Sequence, residues 1–302
     1  MQCLRLTTLA LLATLFAAGA VAQERVPVVA TFSILGDMVT RVGGEHVEVT
    51  TLVGPEGDAH VYQPTPADAA EVARARIVFE NGLGFEGWLP RLIRSSGYKG
   101  EVVTVTKGVG TIAPRDAHAH AGKDRSAPDP HAWQDLANAL GYVANIKDGL
   151  CRVDGARCAH YAYNAGAYQA EVALLHAEIK SSLRAFAPER RKVITSHDAF
   201  GYFGHAYGVT FLAPQGLSTE SEPSAKVVAR LIDQIRREKV KALFVDSISD
   251  PRLVEQIARE TGAKVGGTLY SDALSKRGGP ASTYLDMMRH NAKMIADALS
   301  CC

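Results

Sequence analysis

The feature that most constrains this chain is an alternation of short apolar runs with helix-like stretches, and it occurs twice. VPVVATFS (26–33), VEVTTLV (47–53), RIVFENG (76–82) and EVVTVTKG (101–108) read as strands. Between them, LGDMVTRVGG (35–44), PADAAEVARA (66–75) and FEGWLPRLIRSSG (85–97) read as helices, closed by glycine or opened by proline. The rhythm restarts after residue 190, with strands at 191–197, 209–214, 241–248 and 263–270 and helices at 224–240, 251–262 and 282–299. Buried strands at βα spacing require a mostly parallel sheet flanked by helices on both faces. The expected fold is therefore α/β, with two such lobes.

Between the two series lies YAYNAGAYQAEVALLHAEIKSSLRAFA (161–187), ended by Pro188. As one helix it would run about 40 Å at 1.5 Å per residue. Leu174, Leu175, Ile179, Leu183 and Phe186 supply an apolar face. A single long helix is a rigid connector, so the lobes should move little against each other. An N-terminal metal-binding lobe is expected over 23–160, the linking helix over 161–187 and a C-terminal lobe over 188–302. A helix over 132–150 precedes the linker. Before it, IAPRDAHAHAGKDRSAPDP (112–130) has no apolar periodicity and reads as a flexible loop carrying His118 and His120.

Residues 1–22 stand apart. Arg5 gives a basic start, an uncharged apolar run follows, and AVA (20–22) is a small-x-small cleavage site. This is the pattern of a secretory signal peptide. No cysteine stands at the cleavage point, so a soluble chain of about 280 residues is expected. Its near-zero net charge gives no reason to expect nucleic acid as a partner. Export implies oxidising surroundings, so Cys151 and Cys158, flanking RVDGAR, are expected to form a disulfide. The terminal Cys301–Cys302 dyad has no such account.

Four segments place a metal-ligand residue type where an apolar run ends or a helix begins. TTLVGPEGDAH yields His60, PDPHAWQD His131, TSHD His197, and GGTLYSD Asp272. Ligands of open α/β sheets bind beyond the carboxyl ends of the strands, so two facing lobes would bring these residues together. Three imidazoles and one carboxylate suit Zn²⁺, which accepts tetrahedral nitrogen and oxygen ligation. Manganese draws more oxygen. The ligands stand about 65 to 75 positions apart, unlike a zinc finger or HExxH. His118 and His120 are candidates for an accessory metal site. Glu80, Asn81 and Asp198 are candidates to line the cleft or support the ligands. His205 is expected to be packed or hydrogen-bonded. His46, His160, His176 and His290 have no evident partners.

Together and in order, these segments resemble the solute-binding proteins of metal-type ABC importers, the zinc/manganese cluster. GPEGDAHVYQPTP resembles the segment supplying that family's first histidine, DPHAWQD the second, TSHDAFGYFGHAYG the third, and YSDAL the carboxylate. ENGLGFEGWL (80–89) and the long helix match as well. The resemblance implies capture of Zn²⁺ in the periplasm and delivery to a membrane permease driven by a cytoplasmic ATPase. It implies a monomer with no catalysis, and a periplasmic metallochaperone as a further partner. The third position favours zinc, because manganese-type members usually have glutamate where this chain has His197. A manganese or mixed-metal protein of the same type is the alternative. Of other classes, an adhesin would keep the metal as structure. A zinc hydrolase would need an open coordination position and a base such as Glu80 or Asp198. Three ligating imidazoles must be neutral, so binding is expected to weaken below about pH 6.

Overall fold

The structure, a computed structural model, describes residues 24–113 and 127–300. Residues 1–22, expected to be a signal peptide, and His118, His120, Cys301 and Cys302 lie outside the described residues. The first sheet is built from β1 (Val26–Phe32), β2 (Val47–Val53), β3 (Ile77–Glu80) and β4 (Glu101–Thr104), in the order β2-β1-β3-β4. The second comprises β5 (Lys192–Ile194), β6 (Thr210–Leu212), β7 (Ala242–Asp246) and β8 (Lys264–Leu269), in the order β6-β5-β7-β8. All six strand pairings are parallel. The two lobes thus repeat one topology.

The helices of the first lobe are α1 (Ser33–Gly43), α2 (Pro66–Arg74), α3 (Leu89–Ser96) and α4 (Leu136–Val153). Local chemistry sets their ends. Thr65 and Asp68 cap α2 reciprocally, Pro66 fills its first turn, and Gly97 closes α3 in the left-handed region. The second lobe carries α6 (Gly201–Tyr207), α7 (Ala225–Glu238), α8 (Pro251–Thr261) and α9 (Tyr284–Ser300). Each element read from the sequence is present, and α6 is an addition to that reading. The largest shortening is of the helix expected over 85–97, which runs from Leu89 to Ser96; the strand expected over 101–108 ends at Thr104 in a turn.

Helix α5 (Cys158–Arg184) is the long connector, starting and ending three residues earlier than expected. Its buried face is Tyr161, Ala165, Tyr168, Val172, Leu175, Ile179 and Leu183, a three-four spacing along one stripe. Two expected members of the apolar face are corrected. Leu174 is 64% exposed, because it stands next to Leu175 and points about 100° away around the helix. Phe186 lies beyond the helix end, half-buried against the core. Cys151, in the last turn of α4, is bonded to Cys158, the first residue of α5.

The connector is not a free rod. It packs against α1, α4, α6 and α9. One hydrophobic core runs from β1 and α1 through α4 and α5 to Phe200, Phe203, Phe244, Tyr284 and Met288 of the second lobe. A smaller core, with Leu231, Ile235, Leu243 and Ile257, lies under α7 and α8. Polar contacts join the lobes too. Leu274 N–H donates to Ser33 Oγ (2.9 Å), Tyr284 N–H to Asp37 Oδ2 (2.9 Å), and Tyr284 O–H to the carbonyl of Trp133.

Candidate metal centre

Each of the four side chains is delivered by its own local device. His60 lies on the loop between β2 and α2, where its N–H donates to Asp58 Oδ1 at 2.9 Å. His131 begins a short 3-10 turn before α4, and its N–H donates to Asp129 Oδ1 at 2.9 Å. Both are turns in which an aspartate caps the residue two positions on. His197 follows β5, and Asp272 follows β8.

The four converge between the lobes. Their ligand atoms all lie within 4.8 Å of one another. Asp272 Oδ2 is 3.2 Å from both His60 Nε2 and His197 Nε2, and Oδ1 is 3.6 Å from His131 Nε2. His60 and His131 Nε2 are 3.3 Å apart. Four donors at about 2.0–2.1 Å from a tetrahedral zinc would be about 3.3 Å from each other. His131, His197 and Asp272 are fully buried, and His60 is 8% exposed.

Two carboxylates orient the rings, and the sequence reading named neither. Asp129 Oδ1 lies 2.7 Å from His131 Nδ1. Asp246 Oδ2 lies 2.6 Å from His197 Nδ1 and accepts from His197 N–H at 3.1 Å. Each carboxylate thereby holds Nδ1 as donor and leaves Nε2 facing the cluster, the usual support of a ligating histidine. Both were within reach of sequence reasoning. Asp129 belongs to the quoted PDPHAWQD, and Asp246 ends the β7 run ALFVD by the criterion that found His197 and Asp272. Gly201 also serves here, since a Cβ at this position would come within 2.6 Å of Asp129 Oδ2.

The other candidates are placed as follows. Asn81 supports His131 rather than His60, because its Nδ2 donates to the Pro130 carbonyl at 2.9 Å. Glu80 accepts from Thr104 Oγ1 at 2.7 Å. Asp198 was a candidate to line the cleft or support a ligand; the carboxylate on the His197 ring is that of Asp246. Asp198 N–H donates to the Gly216 carbonyl. His205 is exposed on α6, against expectation. His46 and His160 do meet, with ring centroids 4.8 Å apart, His176 Nδ1 is 3.2 Å from Tyr207 Oη, and His290 reaches the Thr268 carbonyl. Phe85, 4.7 Å from the His60 ring, and Trp133, 5.3 Å from the His131 ring, form an aromatic wall. Trp133 Nε1 and Gln134 Nε2 donate to the Ser271 carbonyl and so anchor Asp272.

The electrostatics follow from burying four titratable groups together. Desolvation favours neutral His131, but Asp272 and Asp129 outweigh it and raise its pKa to about 9. His197 follows the same pattern. Desolvation is overcome by Asp272 and Asp246, and its pKa lies well above the ordinary value. For His60 desolvation wins over Asp272, and its pKa is lowered. Desolvation opposes ionised Asp272, but the charges of His131 and His197 hold its carboxyl well below the usual range. The metal-free cluster is therefore an ion-paired set of donors whose protons a cation can displace.

Comparison with known proteins points to metal binding as well. The family described as "Zinc-uptake complex component A periplasmic" matches residues 28–298. The manganese-binding lipoprotein MntA of Halalkalibacterium halodurans is 31% identical over 277 residues, covering 92% of this chain and 89% of that protein. The Mn-bound periplasmic metal binding protein of Candidatus Liberibacter asiaticus superposes with a TM-score of 0.80 at 34% identity, covering 91% of this chain and all of that one. The periplasmic zinc binding protein TroA of Treponema pallidum superposes with a TM-score of 0.84 at 28% identity, over 91% and 99% of the two chains. Such proteins bind and hand over metals and are not enzymes. By its sequence, its paired parallel-sheet lobes and its metal-binding character, this chain belongs to the zinc-uptake component A family, the metal-binding proteins of metal ABC importers.

Proposed function

We propose that this protein captures Zn²⁺ outside the cytoplasm, with His60, His131, His197 and Asp272 as the ligands, and delivers it to the permease of a zinc ABC importer. The signal segment 1–22 would direct it to the periplasm. It would work there as a monomer, His118 and His120 would serve as an accessory metal site, and a metallochaperone would be a further donor. The observation that carries the reading is the donor set: three imidazoles and one carboxylate whose ligand atoms all lie within 4.8 Å of one another, with the Asp272 contacts to the three rings and the His60–His131 pair at 3.2–3.6 Å, close to the edge of a tetrahedral zinc site. Zinc as cargo also agrees with the family's description and with the name of the Treponema protein.

Manganese is the second reading, and a specific atom favours it. Asp272 Oδ1 is buried and accepts no hydrogen bond from the described residues. The carboxylate can thus offer both oxygens, giving five protein donors for an ion that prefers higher coordination and more oxygen. The names of the Halalkalibacterium and Liberibacter proteins point the same way. A competition titration decides between them. Metal-stripped protein is titrated with zinc in excess manganese, alongside His60→Ala. One tight zinc per chain, lost in the variant, is expected. Manganese retained against equimolar zinc would overturn the zinc reading, and no tight ion would overturn the ligand set.

A further inference from the structure

Of the four ligands, His60 alone touches solvent. It opens onto a depression of about 440 Å³ lined by His60, Val61, Tyr62, Trp88, Arg91 and Glu220. It is also the ligand with the least internal support. His131 and His197 each have a carboxylate on Nδ1, and Asp272 follows a carbonyl held by Trp133 and Gln134. The His60 ring is held by Phe85, and its backbone by a loop in which Glu56 adopts φ +63°, a left-handed conformation that is strained for a non-glycine residue. Such a conformation persists only where the surroundings hold it.

What holds the loop crosses to the other lobe. Glu56 N–H donates to the Leu274 carbonyl at 2.9 Å, and the Glu56 carboxylate pairs with Lys276 Nζ at 2.7 Å. Asp58 works in both directions. Its Oδ1 accepts from His60 N–H, and its Oδ2 accepts from Thr219 Oγ1 at 2.6 Å. Thr219 is in turn held through its carbonyl by Gln215 Nε2 at 3.2 Å. Gln215 pairs by its backbone with His197, with Gln215 N–H donating to the Ser196 carbonyl. A continuous hydrogen-bonded strap therefore runs from the His197 strand end through Gln215, Thr219 and Asp58 to His60. On the near side, Trp88 Nε1 donates to the Ala59 carbonyl at 2.8 Å and keeps the loop attached to its own lobe. Side-chain exposures of 77% and 42% make the Lys276–Glu56 pair weak in salt, so the far lobe holds the loop by two contacts, the Glu56–Leu274 backbone bond and the half-buried Asp58–Thr219 bond, and only the second adjoins His60.

We propose that the Asp58–Thr219 hydrogen bond is the latch on the metal, and that the ion leaves past His60 once it opens. Broken, it frees the Asp58–His60 end of the loop from the second lobe, while Glu56 stays bonded to the Leu274 carbonyl and Trp88 and Phe85 keep their hold. His60 then withdraws from an ion still held by three buried ligands, and the uncovered face is the one that meets solvent. Thr219 is thus a positioning residue that acts on release without touching the ion.

The proposal rests on metal binding at the four-residue cluster, and its test separates the two. Zinc-loaded and manganese-loaded proteins are mixed with excess chelator and release is followed by stopped flow. Thr219→Val and Thr219→Ala should release the ion about tenfold faster, roughly the loss of one hydrogen bond to a charged acceptor. Association should change less, and Thr219→Ser should restore the original rate. Lys276→Ala should change release less than twofold at physiological salt. Circular dichroism establishes that each variant is folded. Release at the unmodified rate in both Thr219→Val and Thr219→Ala would overturn the latch and leave the proposed function standing. Failure of the unmodified protein to bind either ion would overturn both.

Discussion

His197 takes its orientation from Asp246, which stands 49 positions away in sequence and 2.6 Å away in space. Replacing Asp246 with Asn removes the charge that fixes Nδ1–H and strengthens Nε2 as a donor. Metal affinity should fall about 10–100-fold, with an unchanged circular dichroism spectrum, as measured by competition against a chelator. The raised pKa values of His131 and His197 set the pH response. Metal must displace those protons, so affinity should rise with pH from 6 through about 9, higher than three ordinary imidazoles would require. Calorimetry at pH 7.5 in buffers of different ionisation enthalpy should show more than one proton released per ion. A value near zero would contradict the ion-paired cluster. The sign reverses for the metal-free fold. A group whose pKa rises on folding stabilises below its unfolded value near 6.5, and that gain is lost as pH climbs through about 9. The thermal midpoint of stripped protein should therefore fall over the same range in which metal affinity grows.

At the level of elements, the α4–α5 pair shows how a local bond serves a remote site. Asp135 caps α4 immediately after the turn that carries His131, and the far end of that helix is bonded through Cys151 to Cys158 at the start of α5. The disulfide closes a short loop, so its chain-entropy contribution is about 2 kcal/mol. Cys151→Ser with Cys158→Ser should lower the urea midpoint accordingly. Metal stoichiometry should remain unchanged, because the bond lies at the opposite end of α4 from His131. Loss of metal binding on reduction would show that the helix pair is held in place by this bond rather than by the α4–α5 packing.

Across the whole molecule, the lobes share one core and several buried hydrogen bonds, among them Trp133 and Gln134 to the carbonyl of Ser271. They should unfold together. Calorimetry of the metal-free protein should show one transition, and metal at about a thousand times its dissociation constant should add about 4 kcal/mol. Two separable transitions would mean that the shared core does not couple the lobes. Much of this was legible in the sequence. Periodicity and punctuation are local, so the parallel sheets, the long helix and the strand-end positions of His60, His197 and Asp272 could be read from the chain alone. The disulfide was expected from spacing and from the export that the N-terminal pattern implied, and it is present. The buried stripe of α5 was misassigned at Leu174, since which apolar side chain faces inward depends on the helices packed around it. What tertiary structure alone decided is the distance between residues that chain order keeps apart. It brought Asp246 to His197, turned Asn81 toward the His131 loop rather than His60, and joined Asp58 to Thr219. The sequence determines which chemistry each strand end can offer. The relative placement of two sheets about a common core determines which of those groups meet, because a hydrogen bond or a metal edge is set to tenths of an ångström by packing that no local pattern encodes.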